Sequence, residues 1–429
     1  MSYETVKAYI LAILIGISIL LSVALWTYQP NYEQFQDPDY VSEVDIGGKE
    51  KNKNNLIGPS SIIVHNETGL YGFNTKAKKS KFYEDISTWV MYDYEERGAK
   101  GRPKDEVFFE IIYPLAIPAA ALPSLFTFNS EVDVPNWTFE RIYVTLNPEN
   151  YSFNVIFRSS DGKKEIVAVV EKKEKYDLLI EYLTVNDDLI EYTEYGSKEN
   201  PVFLPKEEIT LDAKTLIVSR IKPEKLVNAL FRNPSRVTPN VAEAYFTDGQ
   251  RGMNVSEDNN RIEFINPIQT TSERLESIYL LERSIENINE HKGWTNDYLL
   301  DSIDRTNNRA QFRLMFEGIP VFERSNLTLI SQEWRENELY QYTRPLIKLT
   351  NEVNSSSKVL PSGIKLMNHI EEKKLFDKDK IENIQVGYEL NFLPNASDSI
   401  RLTPTWYVKY QGKWEMVKIN SLNKEKGGE

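Results

Sequence analysis

Reaction chemistry in a protein needs nucleophiles, bases or metal ligands at workable spacing, and this chain is poor in all three. It has 3 histidines, His65, His291 and His369, and no cysteine. No two of the histidines are near each other in sequence, so no His-Glu-x-x-His pair exists to hold zinc. A thiolate nucleophile is excluded. There is no Gly-x-Ser-x-Gly elbow, no Gly-rich phosphate loop and no Asp-rich calcium loop. The Ser-x-x-Lys pattern of penicillin-binding enzymes occurs at Ser355/Lys358 and Ser362/Lys365. Its Lys-Thr-Gly companion is missing, because Lys214-Thr215 is followed by Leu216. Carboxylates are abundant, so counting does not exclude a glycosidase pair, but nothing marks one pair as special. Trp406, Tyr407 and Trp414 are candidates for stacking on glycan, although strand spacing favours core and cross-strand packing. No catalytic residue, cofactor site or metal site is expected. The pattern points to binding or regulation, with a cell-wall hydrolase and a wall- or ligand-binding module as the rival classes.

Composition narrows the partners. The net charge of −13 argues against nucleic acid, which needs clustered Lys and Arg, and against broad docking on anionic lipid. The 429 residues correspond to two to four domains at about 100–200 residues each. The sequons at Asn66, Asn136, Asn254 and Asn326 read as accidents of an Asn-rich chain. A cysteine-free exported chain rich in Lys, Asn, Ile and Glu suggests a Gram-positive bacterium.

Export follows from the N-terminus. Residues 8–26, from Ala8 to Trp26, carry no charge. At 1.5 Å per residue such a run just crosses a hydrocarbon core of about 30 Å. Trp26 and Tyr28 stand at the exit, where amphipathic rings anchor among headgroups, and Pro30 follows. Lys7 precedes the run, and Glu33, Asp37 and Asp39 follow it. The positive-inside rule places the N-terminus in the cytoplasm and the body outside. A cleaved signal peptide is the competing reading, since Ser22 and Ala24 are small, but the apolar run is longer than a usual signal core. Without cysteine a lipoprotein is excluded. Ala8, Ala12 and Gly16 recur every four residues, as do Ser18 and Ser22. Small residues let another spanning helix approach closely, so these five form the candidate transmembrane partner interface.

The elements of the body follow from periodicity. Residues 29–56 are polar and acidic and read as a stalk. Strands are expected at 61–65 and 107–113, and a helix over 81–97 with Phe82, Ile86, Trp89 and Val90 on one face. A hairpin turns at Asp161-Gly162, and a helix follows over 174–183. Residues 192–206, with Gly196, Pro201 and Pro205, mark the first boundary. A diverged repeat comes next. Strands around a turn at Asp248-Gly249 lead to Phe264-Ile-Asn-Pro267 and a helix opened by Thr270-x-x-Glu273, with Leu275, Ile278, Leu281, Ile285 and Ile288 inward. A similar succession breaks at Glu317-Gly318, ends at Tyr342-Thr-Arg-Pro345, and leads to a helix capped by Ser362 with Ile364, Met367 and Ile370 inward. A final strand pair turns at Gln411-Gly412.

The expected fold class is α+β. An N-terminal transmembrane helix precedes an elongated multi-domain extracytoplasmic body with antiparallel sheets and packed helices, its last two domains related. The expected divisions are 1–28, tail and anchor; 29–56, stalk; 57–205, N-terminal domain; 206–300, middle domain; and 301–429, C-terminal domain.

The membrane exit, Leu25-Trp26-Thr27-Tyr28-Gln29-Pro30-Asn31-Tyr32-Glu33, resembles the start of the YycH (WalH) family. Gly318-Ile-Pro-Val-Phe322 resembles the Gly-x-Pro-Val-Phe element shared with the companion protein YycI. Gly387-Tyr388 and Pro404-Thr-Trp406-Tyr407-Val408 resemble the closing strands of that domain. The resemblance covers the whole chain. The middle repeat departs from it, with Gly249-Gln-Arg-Gly252 where a Pro-Val-Phe element would sit. The family consists of accessory proteins of the WalK–WalR (YycG–YycF) two-component system of low-GC Gram-positive bacteria. The resemblance implies a non-enzymatic regulator in the cell membrane that binds the sensor kinase WalK together with YycI, largely through spanning helices, and sets signalling over the cell wall.

Overall fold

The computed structural model describes residues 44–419, apart from 185–187, 241–243, 268–272, 337 and 395, and before residue 44 only Lys7, Leu14 and Ser18. Those three are helical and exposed. Among the described residues no helix is long and apolar enough to cross a membrane, and the expected span over 8–26 lies almost wholly outside them.

Residues 61–205 build the first sheet. Its nine strands are β1 (Ser61–Asn66), β2 (Gly69–Phe73), β3 (Tyr92–Gly98), β4 (Phe108–Pro118), β5 (Thr138–Asn147), β6 (Ser152–Ser159), β7 (Lys164–Glu171), β8 (Leu189–Tyr195) and β9 (Val202–Pro205). Every neighbouring pair runs antiparallel, in the order β3-β7-β6-β5-β4-β1-β2-β8-β9. The expected β6–β7 hairpin forms, with Gly162 at φ 70 in its turn. Helices Lys76–Thr88 and Lys173–Leu183 lie by this sheet. Phe82 packs on Phe109 at 4.6 Å, and Tyr182 donates its hydroxyl hydrogen to the carboxylate of Asp85 at 2.9 Å. Each buried phenylalanine contributes about 1.5–3 kcal/mol by leaving water.

The helix expected over 81–97 is corrected. It runs from Lys76, capped by the Thr75 hydroxyl, to Thr88, and the chain then enters β3. Val90-Met91-Tyr92 favours extended backbone, and pairing with β7 overrides the helical propensity of Glu95-Glu96-Arg97. As the last strand of the sheet, β3 carries the exposed charges that discourage further pairing.

The second sheet has fourteen strands. From one end come β11 (Thr238–Asn240), β12 (Tyr245–Thr247), β13 (Gly252–Val255), β14 (Arg261–Ile265), β19 (Glu338–Pro345), β18 (Leu329–Arg335), β16 (Arg309–Phe316) and β17 (Ile319–Phe322). They continue into β21 (Ile381–Leu393), β22 (Ala396–Tyr410), β10 (Ile209–Arg220) and β20 (Ile347–Leu360), with β15 (Asp297–Asp304) on β16 and β23 (Lys413–Val417) on β22. The sheet is mixed, because β17 and β21 run parallel. The two segments read as a repeat meet within it: Phe264 of β14 stands opposite Tyr342 of β19.

Helix Ser277–Asn289 buries Leu280, Leu281, Ser284, Ile285 and Ile288, and Ser284 accepts a hydrogen bond from the Trp334 indole at 2.9 Å. Its start departs from the expected capping box. Glu276 is the cap, and Thr270 lies outside the described residues. Helix Gly363–Lys373 has the expected Ser362 cap but a rotated inner face. Leu366 and Ile370 are buried while Ile364 is exposed, because Gly363 abuts β9. A Cβ at Gly363 would lie 2.4 Å from Leu204 Cβ. Around that contact Tyr195, Val202 and Leu204 share one core cluster with Leu366, Ile370, Trp406 and Val408.

The end of the expected stalk is also corrected. From residue 45 onward the chain is fastened to the body, with Ile46 and Leu56 buried. Polarity alone read as a free linker because the ties are hydrogen bonds from backbone and lysines.

Candidate functional site

The elements that carried the resemblance converge in space. Glu317 at φ 50 and Gly318 at φ 79 form the two-residue turn between β16 and β17, a left-handed pair that suits a tight hairpin. β17 then pairs with β21, setting Val321 opposite Tyr388. Phe322 stacks on Tyr407 of β22 with ring centroids 3.9 Å apart, and Trp414 packs 5.5 Å away. Gly387 is needed beneath that stack, since a Cβ there would lie 2.5 Å from the Phe322 ring. Over Phe322 sits the Arg313 guanidinium at 4.4 Å, held by Asp301 through two bonds of 2.6 and 2.9 Å. Gly318 reaches the first sheet's layer: a Cβ on it would meet the Lys76 stem at 2.6 Å.

Behind this node opens a cleft of about 1450 Å³ between the two sheets. Lys79, Tyr83 and Tyr113 line one wall, and Ile319, Trp406 and Trp414 the other. Desolvation, with Lys76 nearby, lowers the Lys79 ammonium to a pKa of about 8, and Lys79 donates to the Ser60 carbonyl at 3.0 Å. The Tyr83 and Tyr113 hydroxyls share a 2.7 Å hydrogen bond. Burial pushes Tyr83 up to about 12 and Tyr113 well above its ordinary value. From the far wall Lys409 crosses to the Pro114 carbonyl at 3.2 Å. These polar groups are engaged with one another. The arrangement suits binding and coupling of the two sheets, and among the described residues no group of three or more His, Asp or Glu could hold a metal.

Beside the cleft lies a buried charge network that sequence reading missed. Glu110 of β4 is fully buried and accepts from His65 at 3.1 Å, from Arg102 at 3.2 Å and from Arg141. Burial opposes its charge, but the His65 hydrogen bond and the two guanidiniums outweigh it and hold the carboxyl below its usual range. The available signal was faint: a Glu amid Phe108, Phe109, Ile111 and Ile112 in an otherwise apolar strand.

Of the residues expected at a partner interface, Ala8, Ala12, Gly16 and Ser22 lie outside the described residues, as do the exit residues Trp26, Tyr28 and Pro30; Ser18 is exposed. Trp406 and Tyr407 are buried core residues, which removes them as glycan platforms, and Trp414 is half-buried against Phe322.

The family models decide the assignment. The model described as "YycH protein, N-terminal domain" matches residues 4–187, and "YycH protein, C-terminal domain" matches 199–426. The chain belongs to the YycH family. A relative from Bacillus subtilis (strain 168), described as "Two-component system WalR/WalK regulatory protein YycH", is 24% identical over 455 aligned positions, spanning 99% of this chain and 98% of its own. The crystal structure of YycH from Bacillus subtilis matches with a TM-score of 0.72 at 20% identity, covering 87% of this chain and 99% of that one. The fold is therefore the YycH fold. Within it, β9 lies in the stretch matched as C-terminal yet completes the first sheet, so the two matched parts interlock.

Proposed function

We propose that this YycH-family chain is a membrane-anchored, non-enzymatic regulator. It binds the sensor histidine kinase WalK together with YycI and modulates kinase activity in cell-wall signalling. The observation that carries this reading is the match of both parts of the chain to YycH models, with a relative named as a WalR/WalK regulatory protein aligned along 99% of this chain. The apolar run over 8–26 supplies the anchor, with the N-terminus cytoplasmic and the body extracytoplasmic. A kinase that signals through small shifts of its spanning helices needs no chemistry from a neighbour. A partner that binds one arrangement more tightly biases the equilibrium by that difference in affinity.

The test is co-purification of the kinase from membranes with wild type and with a protein carrying Ala12→Leu and Gly16→Leu. Capture by wild type and loss with the bulky helix supports the reading and its interface. Equal capture moves the contact to the exported body. Failure of both overturns kinase binding. The cleft favours a second reading, a wall- or ligand-binding module, which pelleting with purified cell wall would reveal.

A further inference from the structure

Between the expected anchor and β1 the chain takes a detour. Residues 45–51 do not lead straight into the first sheet. They lie as a strap across residues 289–294, the loop that follows helix Ser277–Asn289 in the second half. Ile46 N donates to the His291 carbonyl at 3.2 Å, and Lys49 and Trp294 exchange backbone hydrogen bonds of 3.2 and 3.4 Å. Lys51 and the Asn289 side chain bond each other twice, at 3.0 and 3.1 Å. Two lysines of the second half hold strap carbonyls: Lys225 takes that of Asp45 at 3.0 Å and Lys348 that of Gly47 at 2.8 Å. The first residue past the strap's foot with a buried side chain is Leu56, and only then does β1 begin.

Gly48 makes the strap possible. A Cβ on it would lie 2.3 Å from the Lys292 carbonyl oxygen and 2.7 Å from the Trp294 carbonyl. Those neighbours are backbone and cannot swing aside. The other side of the same loop faces the second core. His291 is 2% exposed and bonds the Tyr342 hydroxyl at 3.1 Å, and Trp294 packs on Phe312 at 4.9 Å. A shift in the second sheet therefore meets the strap through one loop. The strap is fastened almost wholly by hydrogen bonds, with Ile46 its one buried side chain, so it opens at lower cost than the sheet beneath it.

We propose that residues 45–51 are the coupling element of the regulator, with Gly48 its positioning residue. The second half, rather than the adjoining first sheet, grips the chain that leads to the anchor, and release of that grip changes kinase output without changing kinase capture. This rests on the kinase-regulator reading. The experiment uses the full-length protein in membranes with Gly48→Val and, separately, the double variant Lys225→Met with Lys348→Met, which loosens the strap without steric intrusion. Three readouts are taken: amide hydrogen exchange at 46, 49 and 51, kinase co-purification, and a transcriptional reporter of the response regulator. The expected result is at least tenfold faster exchange in the strap, unchanged exchange in helix Ser277–Asn289, undiminished kinase capture and a reporter output shifted at least twofold. Faster strap exchange with kinase captured and output unmoved would overturn the coupling role while leaving the regulator reading intact. Unchanged strap exchange in both variants would overturn the grip assigned to Gly48 and the lysines. Loss of capture by wild type itself would remove the regulator reading, and the coupling with it.

Discussion

Each half of the body buries a formal charge, and the two halves neutralise it by different means. In the first, Glu110 meets opposite charge: the guanidiniums of Arg102 and Arg141 converge on one carboxylate, which also accepts a hydrogen bond from His65. In the second, Arg344 is equally buried but meets neutral dipoles. Its guanidinium donates to the Tyr342 hydroxyl at 3.1 Å, the Thr295 hydroxyl at 3.2 Å and the Pro345 carbonyl at 3.3 Å, and it forms no ion pair among the described residues. Next to it stands His291, held neutral by burial and by the Arg344 charge, with its pKa lowered to about 3. An ion-paired cluster fails when one partner is removed, whereas a dipole cage loses its pieces singly. The halves should therefore respond differently to mutation and to acid.

Glu110→Gln is the harshest test of that contrast. It leaves Arg102 and Arg141 charged in a poorly hydrated site, and the unfolding free energy of residues 45–429 in urea should fall by about 3–5 kcal/mol. A loss below about 1 kcal/mol would mean that water already shares the network. Acid comes next. His291 is neutral when folded and takes a proton near pH 6.5 when unfolded, so the unfolded state binds more protons from about pH 6.5 down to about 3. Stability then falls as pH falls, by about 2 kcal/mol at pH 5 relative to pH 7.5 from this residue alone. Glu110 acts in the same direction but lower on the pH scale: its carboxyl is held below the usual range, so its contribution is intact above the ordinary carboxylate pKa and is lost as pH drops from there through the lower folded value. Melting of wild type against His291→Gln at both pH values isolates the histidine. A variant with the full wild-type slope would assign the acid sensitivity elsewhere. The smallest effect is expected for Tyr342→Phe, which removes one acceptor from Arg344 and the partner of His291, at about 1–2 kcal/mol. A loss as large as that of Glu110→Gln would end the distinction between the halves.

Local signals were legible where the chain needed no distant partner. The turns at Asp161-Gly162, Glu317-Gly318 and Gln411-Gly412 each place a Gly at positive φ, which a residue without Cβ adopts freely. Helix Lys173–Leu183 and the Ser362 cap follow from periodicity and capping chemistry. Misreadings arose where pairing at a distance prevailed. Residues 92–98 are a strand because β7 is beside them, and helix Gly363–Lys373 is rotated because β9 presses on its first residue. The Phe322–Tyr407 stack joins residues 85 positions apart, whose resemblance to a family was visible but whose contact was not.

What the sequence determined by itself was composition and local pattern: the uncharged run over 8–26, the missing cysteines and metal-ligand spacings, the turns, and the family likeness over residues 25–33 and at Gly318–Phe322. Covalent order is enough for these, because each depends on neighbours within a few residues. The tertiary structure decided which charges are buried and how they are met, that β9 closes the first sheet, and that residues 45–51 grip the second half before the chain enters the first. Those outcomes turn on desolvation and hydrogen bonding between segments up to some 300 residues apart, such as Gly47 and Lys348, and no local pattern encodes that distance.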